Sequence, residues 1–267
     1  MGKVIAICNQ KGGVGKTTTA IAMGAALAER GYKVLLVDAD DSGNPSLTKS
    51  LIEDEKITKT LTDLMLFRIL DRDIGDEIKD CVYKHKERMH FIPADNKLPG
   101  VSTALSSVPE ERKRSILREV IDQVKSEYDY VILDAAPSLN IVSLNVLGAA
   151  DEVIITTQPQ GAAEEGILEL LQTALQVKDR FNKELTVRGL LITMVDSRTN
   201  YNKEKAEKMT SDYTDWGMKV FRIRIPRAVV AESCVEKKLS VLRYAPESKP
   251  AMAYRAFITE YLEESEQ

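Results

Sequence analysis

KVIAICNQKGGVGKTTTAIAMGAALAERG, residues 3–31, holds three kinds of sequence in a row. KVIAIC is a short apolar run that reads as a buried strand. KTTTAIAMGAALAERG is alanine-rich and helical, with Gly31 as its C-terminal stop. GGVGKT lies between them. A glycine loop that leaves a strand and opens a helix is the context a phosphate loop requires. Gly12, Gly13 and Gly15, with Val14 among them, let backbone N–H groups turn inward around phosphate oxygens. The helix N-terminus adds its partial positive charge. Lys16 is placed to reach the β- and γ-phosphates, and the Thr17 hydroxyl, followed by Thr18, to ligate Mg²⁺. Such a loop needs one lysine, yet a second, Lys11, stands at its mouth.

Similar apolar runs recur: KVLLVDAD (33–40), MHFIPAD (89–95), YVILDAAPS (130–138), EVIITTQ (152–158), VRGLLITMVD (187–196) and KVFRIRIP (219–226). Each reads as a strand. In RSILREVIDQVKSEY, Ile116, Leu117, Val120, Ile121 and Val124 share one helical face. Further helices are expected around 164–180, 202–212 and 250–264, and residues 53–88 read as mostly helical. Solidly apolar strands separated by helices predict a mostly parallel twisted sheet covered on both faces. The expectation is a single α/β P-loop domain over residues 1–267.

Composition is ordinary for a globular protein, with 43% hydrophobic and 29% charged residues. The formal net charge of −4 means that nucleic-acid binding needs a local patch. Cys8, Cys81 and Cys234 lie far apart, without metal-ligand spacing, and are expected as buried thiols in a reducing cytosol. His85 and His90 sit in a polar stretch and read as surface residues. No signal peptide or membrane span is read.

A second acid is expected near the metal, at the end of another strand. Asp134 fits, as the acid that holds a magnesium-bound water. Asp38 and Asp40 close the strand VLLVDAD, and either is placed to orient an attacking water.

KGGVGKTT is the deviant Walker A motif. With VLLVDAD…GN and YDYVILDAAPS it resembles the ParA/MinD family of P-loop ATPases, over nearly the whole chain. GLLITMVDSRTN, IPRAVVAES and YAPESKPAMAYRAFITEYL resemble the DNA-partitioning ParA, or Soj-like, branch. The resemblance implies a homodimer sandwiching two ATP molecules, with ATP or ADP and Mg²⁺ as cofactors. Lys11 would then cross to the partner's phosphates while Lys16 acts within its own subunit. Asp40 matches the catalytic aspartate, grouped with Thr17 and Asp134 around the metal, and Asp134 matches the Walker B acid. Base contacts would come from Met194 and Asp196 and from the Pro226–Arg227 turn.

This chain departs from the family at Asp41-Ser42, where Pro-Gln is usual, at Ala136, and at Val230, where many relatives carry arginine. Between residues 197 and 238, ten basic side chains nevertheless stand against six acidic ones. Arg198, Lys203, Arg222, Arg224, Arg227, Lys237 and Lys238 are the candidates for a patch that binds double-stranded DNA without reading bases. The implied partners are such DNA and a ParB-like centromere-binding protein. The implied place is the cytoplasm, on the nucleoid. No N-terminal DNA-binding extension is read before the loop. A MinD-like membrane regulator should end in a basic amphipathic helix, and the acidic ITEYLEESEQ argues against it. A cluster-bearing electron carrier lacks its cysteines, and a biosynthetic synthetase lacks the ParA-like C-terminal segments. A ParA-like ATPase that positions a protein cargo is the remaining alternative.

Overall fold

A computed structural model describes residues 2–53, 56–159, 164–196, 198–228 and 230–263. The last four residues of the acidic tail therefore lie outside the described residues. Seven strands form one sheet: β1 (Lys3–Cys8), β2 (Val34–Ala39), β3 (Tyr83–Lys84), β4 (His90–Ile92), β5 (Tyr130–Ala135), β6 (Glu152–Thr157) and β7 (Thr186–Ile192). Their order across the sheet is β3-β4-β2-β5-β1-β6-β7. Only β3 runs antiparallel to its neighbour.

Both faces are buried, so the strands are apolar throughout, yet they still alternate. Val4, Ala6, Leu35, Val37, Val131 and Leu133 point to one face. That face is covered by α3 (Leu61–Ile69), α5 (Pro99–Leu105), α6 (Ile116–Asp122), α7 (Ile141–Ala149) and α8 (Glu164–Arg180). Ile5, Ile7, Leu36 and Ile132 point to the other, beneath α1 (Lys16–Glu29) and α12 (Lys249–Glu263). The remaining helices are α2 (Ser46–Leu51), α4 (Glu77–Cys81), α9 (Asn200–Asp215), α10 (Val230–Lys237) and α11 (Val241–Tyr244). Among the described residues no helix is long and apolar enough to cross a membrane.

The structure departs from the sequence reading in three places. Residues 219–226 form no strand. Two isolated bridges, Leu190 to Val220 and Val195 to Pro226, tie the segment to β7 and to the residues after it. Between them, the N–H groups of Arg222 and Ile223 donate to the buried carboxylate of Glu260 on α12, at 2.8 and 3.0 Å. A side-chain acceptor has taken donors that a ladder would need. Residues 53–88 are less helical than expected. α3 starts on a Thr60–Asp63 capping box and ends before Asp71, which has φ 56°, and only α4 follows before β3. Third, His85 is not a surface residue. It is buried, its Nε2 lies 3.0 Å from the Lys238 carbonyl, and burial lowers its pKa. His90 is half-buried, with Nδ1 2.7 Å from the Tyr128 hydroxyl.

The three cysteines are buried and unpaired, as expected, and burial pushes the Cys8 thiol up to about 12. On α7, Gly148 packs so closely that a Cβ there would overlap the Arg114 carbonyl oxygen. Helix propensity favours Gly148→Ala by about 1 kcal/mol, but overpacking against backbone costs about 1–3 kcal/mol. The clash should win. Urea unfolding of Gly148→Ala is expected to show a lower midpoint than the parent; a raised midpoint would mean that the α6–α7 contact is soft.

Candidate nucleotide-binding site

The loop from β1 to α1 is anchored at its start. Asn9 is buried; its Nδ2 donates to the Thr156 carbonyl on β6 at 2.6 Å, and its Oδ1 accepts the Lys11 N–H at 2.8 Å. Gly13 and Gly15 adopt φ of 72° and 82°, the left-handed region that favours glycine. A Cβ at Gly12 or Gly13 would meet nothing within 4 Å, so both positions face open space. α1 begins at Gly15 with no side-chain cap and no acid in its first turn, which leaves its N–H groups for an anion.

Beneath the loop, Lys16 is buried and its Nζ donates to the Lys11 carbonyl at 3.4 Å. Burial lowers its pKa, and the Asp134 charge opposes that. Lys11 itself is exposed. The Thr17 hydroxyl donates to Asp134 Oδ2 at 2.6 Å and lies 2.9 Å from the Ser46 hydroxyl at the start of α2. Asp134 is fully buried, and its Oδ1 has no hydrogen-bond partner among the described residues. Burial and the charge of Asp38, its register partner on β2, push Asp134 up to about 8; the Thr17 hydroxyl and Lys16 act in the other direction. A buried carboxylate with an orphan oxygen next to a hydroxyl fits a divalent cation.

The structure separates the paired acids of β2. Asp38 is fully buried and accepts the Thr48 N–H at 2.8 Å, the Thr48 hydroxyl at 2.7 Å and the Asp40 N–H at 3.2 Å. Burial pushes it up to about 6. Its carboxylate is thus engaged in fixing α2 and the turn after β2. Asp40 stands one residue past the strand, and its Oδ1 accepts the Ser42 N–H at 2.9 Å. Asp41 is tethered: Asn140, the cap of α7, donates to its Oδ2 at 2.6 Å, and Ser102 of α5 at 3.4 Å.

Next to the loop lies a cavity of about 350 Å³ whose lining includes Gly15, Thr193, Met194, Pro226, Arg227 and Val230. Met194 has φ 53°, and the Gln158 amide donates to its sulfur at 2.8 Å and to the Gly13 carbonyl. A thioether beside an apolar slot suits a purine face. Asp196 is not part of this lining. Arg198 grips its carboxylate at 2.9 and 2.8 Å and holds its pKa well below the usual range.

The candidate DNA-binding cations are spread over several elements. Arg198 and Arg222 have mostly exposed side chains, the latter 3.4 Å from Glu260 on α12. Arg224 donates to Thr210 on α9 at 3.2 Å. Lys203, Arg227 and Lys237 are exposed. Lys238 is half-buried, and its Nζ donates to the Lys49 carbonyl at the end of α2.

Residues 2–187 match the model of the AAA domain family. The chain is 38% identical to the sporulation initiation inhibitor protein Soj of Bacillus subtilis, over 95% of this chain and 96% of that one. It is 36% identical to the chromosome-partitioning ATPase Soj of Treponema pallidum, over 97% of both. This chain belongs to the Soj/ParA family of P-loop ATPases. The solved cobyrinic acid a,c-diamide synthase of Mycobacterium smegmatis, with bound ADP and magnesium, superimposes with a TM-score of 0.83 at 32% identity, covering 100% of this chain and 96% of that one.

Sequence reasoning missed Asn9, Ser46, Thr48, Gln158 and Thr193. Gln158 and Thr193 were within reach of a general rule, because each directly follows a strand at the sheet edge that carries Asp134. Asp41→Ala removes the tether of the loop that carries Asp40. Because small displacements of reacting groups are expensive, turnover of ATP is expected to fall about tenfold or more, with the ATP dissociation constant little changed. Steady-state kinetics and equilibrium titration separate these; unchanged turnover would show the tether to be idle.

Proposed function

We propose that the chain is a DNA-partitioning ATPase that works as an ATP-dependent sandwich dimer. One observation carries this reading: Lys16, Thr17 and the orphaned Asp134 converge beneath an open glycine loop, while Lys11 stands outside it, exposed. ATP, ADP and Mg²⁺ are the proposed ligands, and the ADP and magnesium bound in the Mycobacterium smegmatis synthase support them. Thr17 and Asp134 would hold the magnesium ion near Asp40. Magnesium neutralises phosphate charge and stabilises what develops during transfer. Lys16 serves its own subunit's phosphates. Lys11, free to reach across, serves those of the partner and makes dimerisation depend on ATP. Asp40 orients the attacking water. Met194, Pro226 and Arg227 border the base, while Asp196, gripped by Arg198, stands outside that lining.

The name of the Treponema pallidum relative, a chromosome-partitioning ATPase, supports partition as the process. In the proposed cycle the ATP dimer binds duplex DNA without reading sequence. A ParB-like partner then stimulates hydrolysis and releases it. The protein would act in the cytoplasm, on the nucleoid. Val230 lines the nucleotide cavity and brings no cation there; a ParA-like ATPase that positions a protein cargo is the second reading.

Lys16→Ala should weaken ATP binding by about ten- to a hundredfold, the worth of a charge-assisted hydrogen bond, by isothermal calorimetry. Lys11→Ala should bind ATP normally yet remain monomeric in light scattering; an ATP dimer of this variant would refute the crossing lysine. Asp40→Ala should bind ATP without hydrolysing it. Titrated with random-sequence duplex, it should bind with ATP but not ADP, and more weakly as salt rises. A clean ATP dimer without DNA affinity would move the reading to a protein cargo.

A further inference from the structure

The turn from β3 to β4 carries Lys84, Lys86 and Arg88, all exposed, while the residues between them face inward. His85 is buried, and Glu87 accepts the Ser240 N–H at 2.8 Å and the Ser240 hydroxyl. The turn is closed by His85 N–H to Met89 carbonyl at 2.8 Å and Arg88 N–H to His85 carbonyl at 3.1 Å. Arg88 has φ 63°, a position where glycine is unstrained and a long side chain is not. A cation is kept there against the local backbone preference.

This turn borders a cleft of about 360 Å³ shared with α1 and α11, lined by Lys86, Arg88, Arg243, Glu29 and Glu87. Glu29 is paired with a cation, and Glu87 is held by hydrogen bonds but keeps its charge, leaving three cations against one acid. Arg255 grips Glu29 at 2.8 and 2.9 Å, and Ser240 holds Glu87. Lys84, Arg88 and Arg243 have no ion-pair partner among the described residues. Arg88 also borders a second cleft with Lys33, His90 and one acid, Glu127. The turn is stitched to the end of α10 by His85 against the Lys238 carbonyl at 3.0 Å and Lys86 to the Lys237 carbonyl at 3.2 Å. Lys237, a candidate for the DNA patch, is therefore a neighbour.

We propose that this cleft seats backbone phosphates of duplex DNA, so that the binding surface runs from residues 197–238 onto the β3–β4 turn; this rests on the DNA-binding reading above. Exposed cations contributed by separate elements suit a long repeating polyanion, which any register satisfies. A compact anion is held instead by buried, convergent donors.

The test is Lys84→Ala/Lys86→Ala/Arg88→Ala in the full chain, with ATP and a labelled random duplex, by fluorescence anisotropy across a salt series. Affinity at low salt should fall about tenfold or more, and the slope of log affinity against log salt should shallow by about 2 to 3, near one per lost phosphate contact. ATP turnover without DNA should be unchanged. Arg88→Gly alone relieves the left-handed backbone, so it should melt no lower than the parent while binding duplex more weakly. That separates lost contacts from lost folding. A parent that binds duplex beside a triple variant of equal affinity and slope would overturn this inference alone. A parent without ATP-dependent duplex binding would overturn the DNA reading, and this inference with it. A triple variant that loses binding to phosphatidylglycerol vesicles but keeps its DNA affinity would overturn it in favour of a lipid surface.

Discussion

The site depends on a carboxylate buried where charge is costly. Asp134 sits at the end of β5, between β1 and β2, with one oxygen on Thr17 and the other without a partner among the described residues. Its neighbour in register is a second buried carboxylate, Asp38. Two acids side by side at the centre of a sheet are tolerable only if each finds donors or cations. Asp38 finds its donors within the fold, from Thr48 and the backbone. Asp134 is left short by one partner, and that deficit gives the loop above it a reason to gather magnesium and phosphate.

The same solution makes α2 a shared part. Ser46 at its start touches the Thr17 hydroxyl, Thr48 in its middle holds Asp38, and Lys49 near its end accepts from Lys238. Six residues thus join the metal side of the site to the end of α10 and, through His85 and Lys86, to the β3–β4 turn. Any ligand that competes for the Thr17 hydroxyl acts on the Ser46 end of this short helix.

Much of this was legible in the sequence, and the reason is physical. A glycine loop needs left-handed backbone and an open concave side, so GGVGKT between strand and helix leaves few alternatives. Asp134 was legible because apolar strands that end in an acid mark the ligand edge of a parallel sheet. Asp38 and Asp40 were not separable. They share a strand and a spacing of two, and only Thr48, reaching back from α2, shows which of them is consumed by the fold. Residues 219–226 read as a strand because their apolar pattern is right. What undoes it is a buried glutamate 34 residues or more further along, Glu260, which no local pattern reveals. His85 was misplaced for a similar reason: its polar neighbours point outward while it turns in to meet Lys238.

Glu260 has a consequence beyond its own hydrogen bonds. β7 ends the sheet, and a bare outer strand presents a row of unpaired peptide groups to any other chain. The 219–226 segment covers that border at Val220 and Pro226 without becoming a strand itself, because Glu260 draws its middle away. The protein therefore ends its sheet on an irregular, positively charged selvage that offers a neighbour no ladder to extend. At this border, though not at β3 on the far side of the sheet, a second copy would find no continuous row of free peptide groups to pair with.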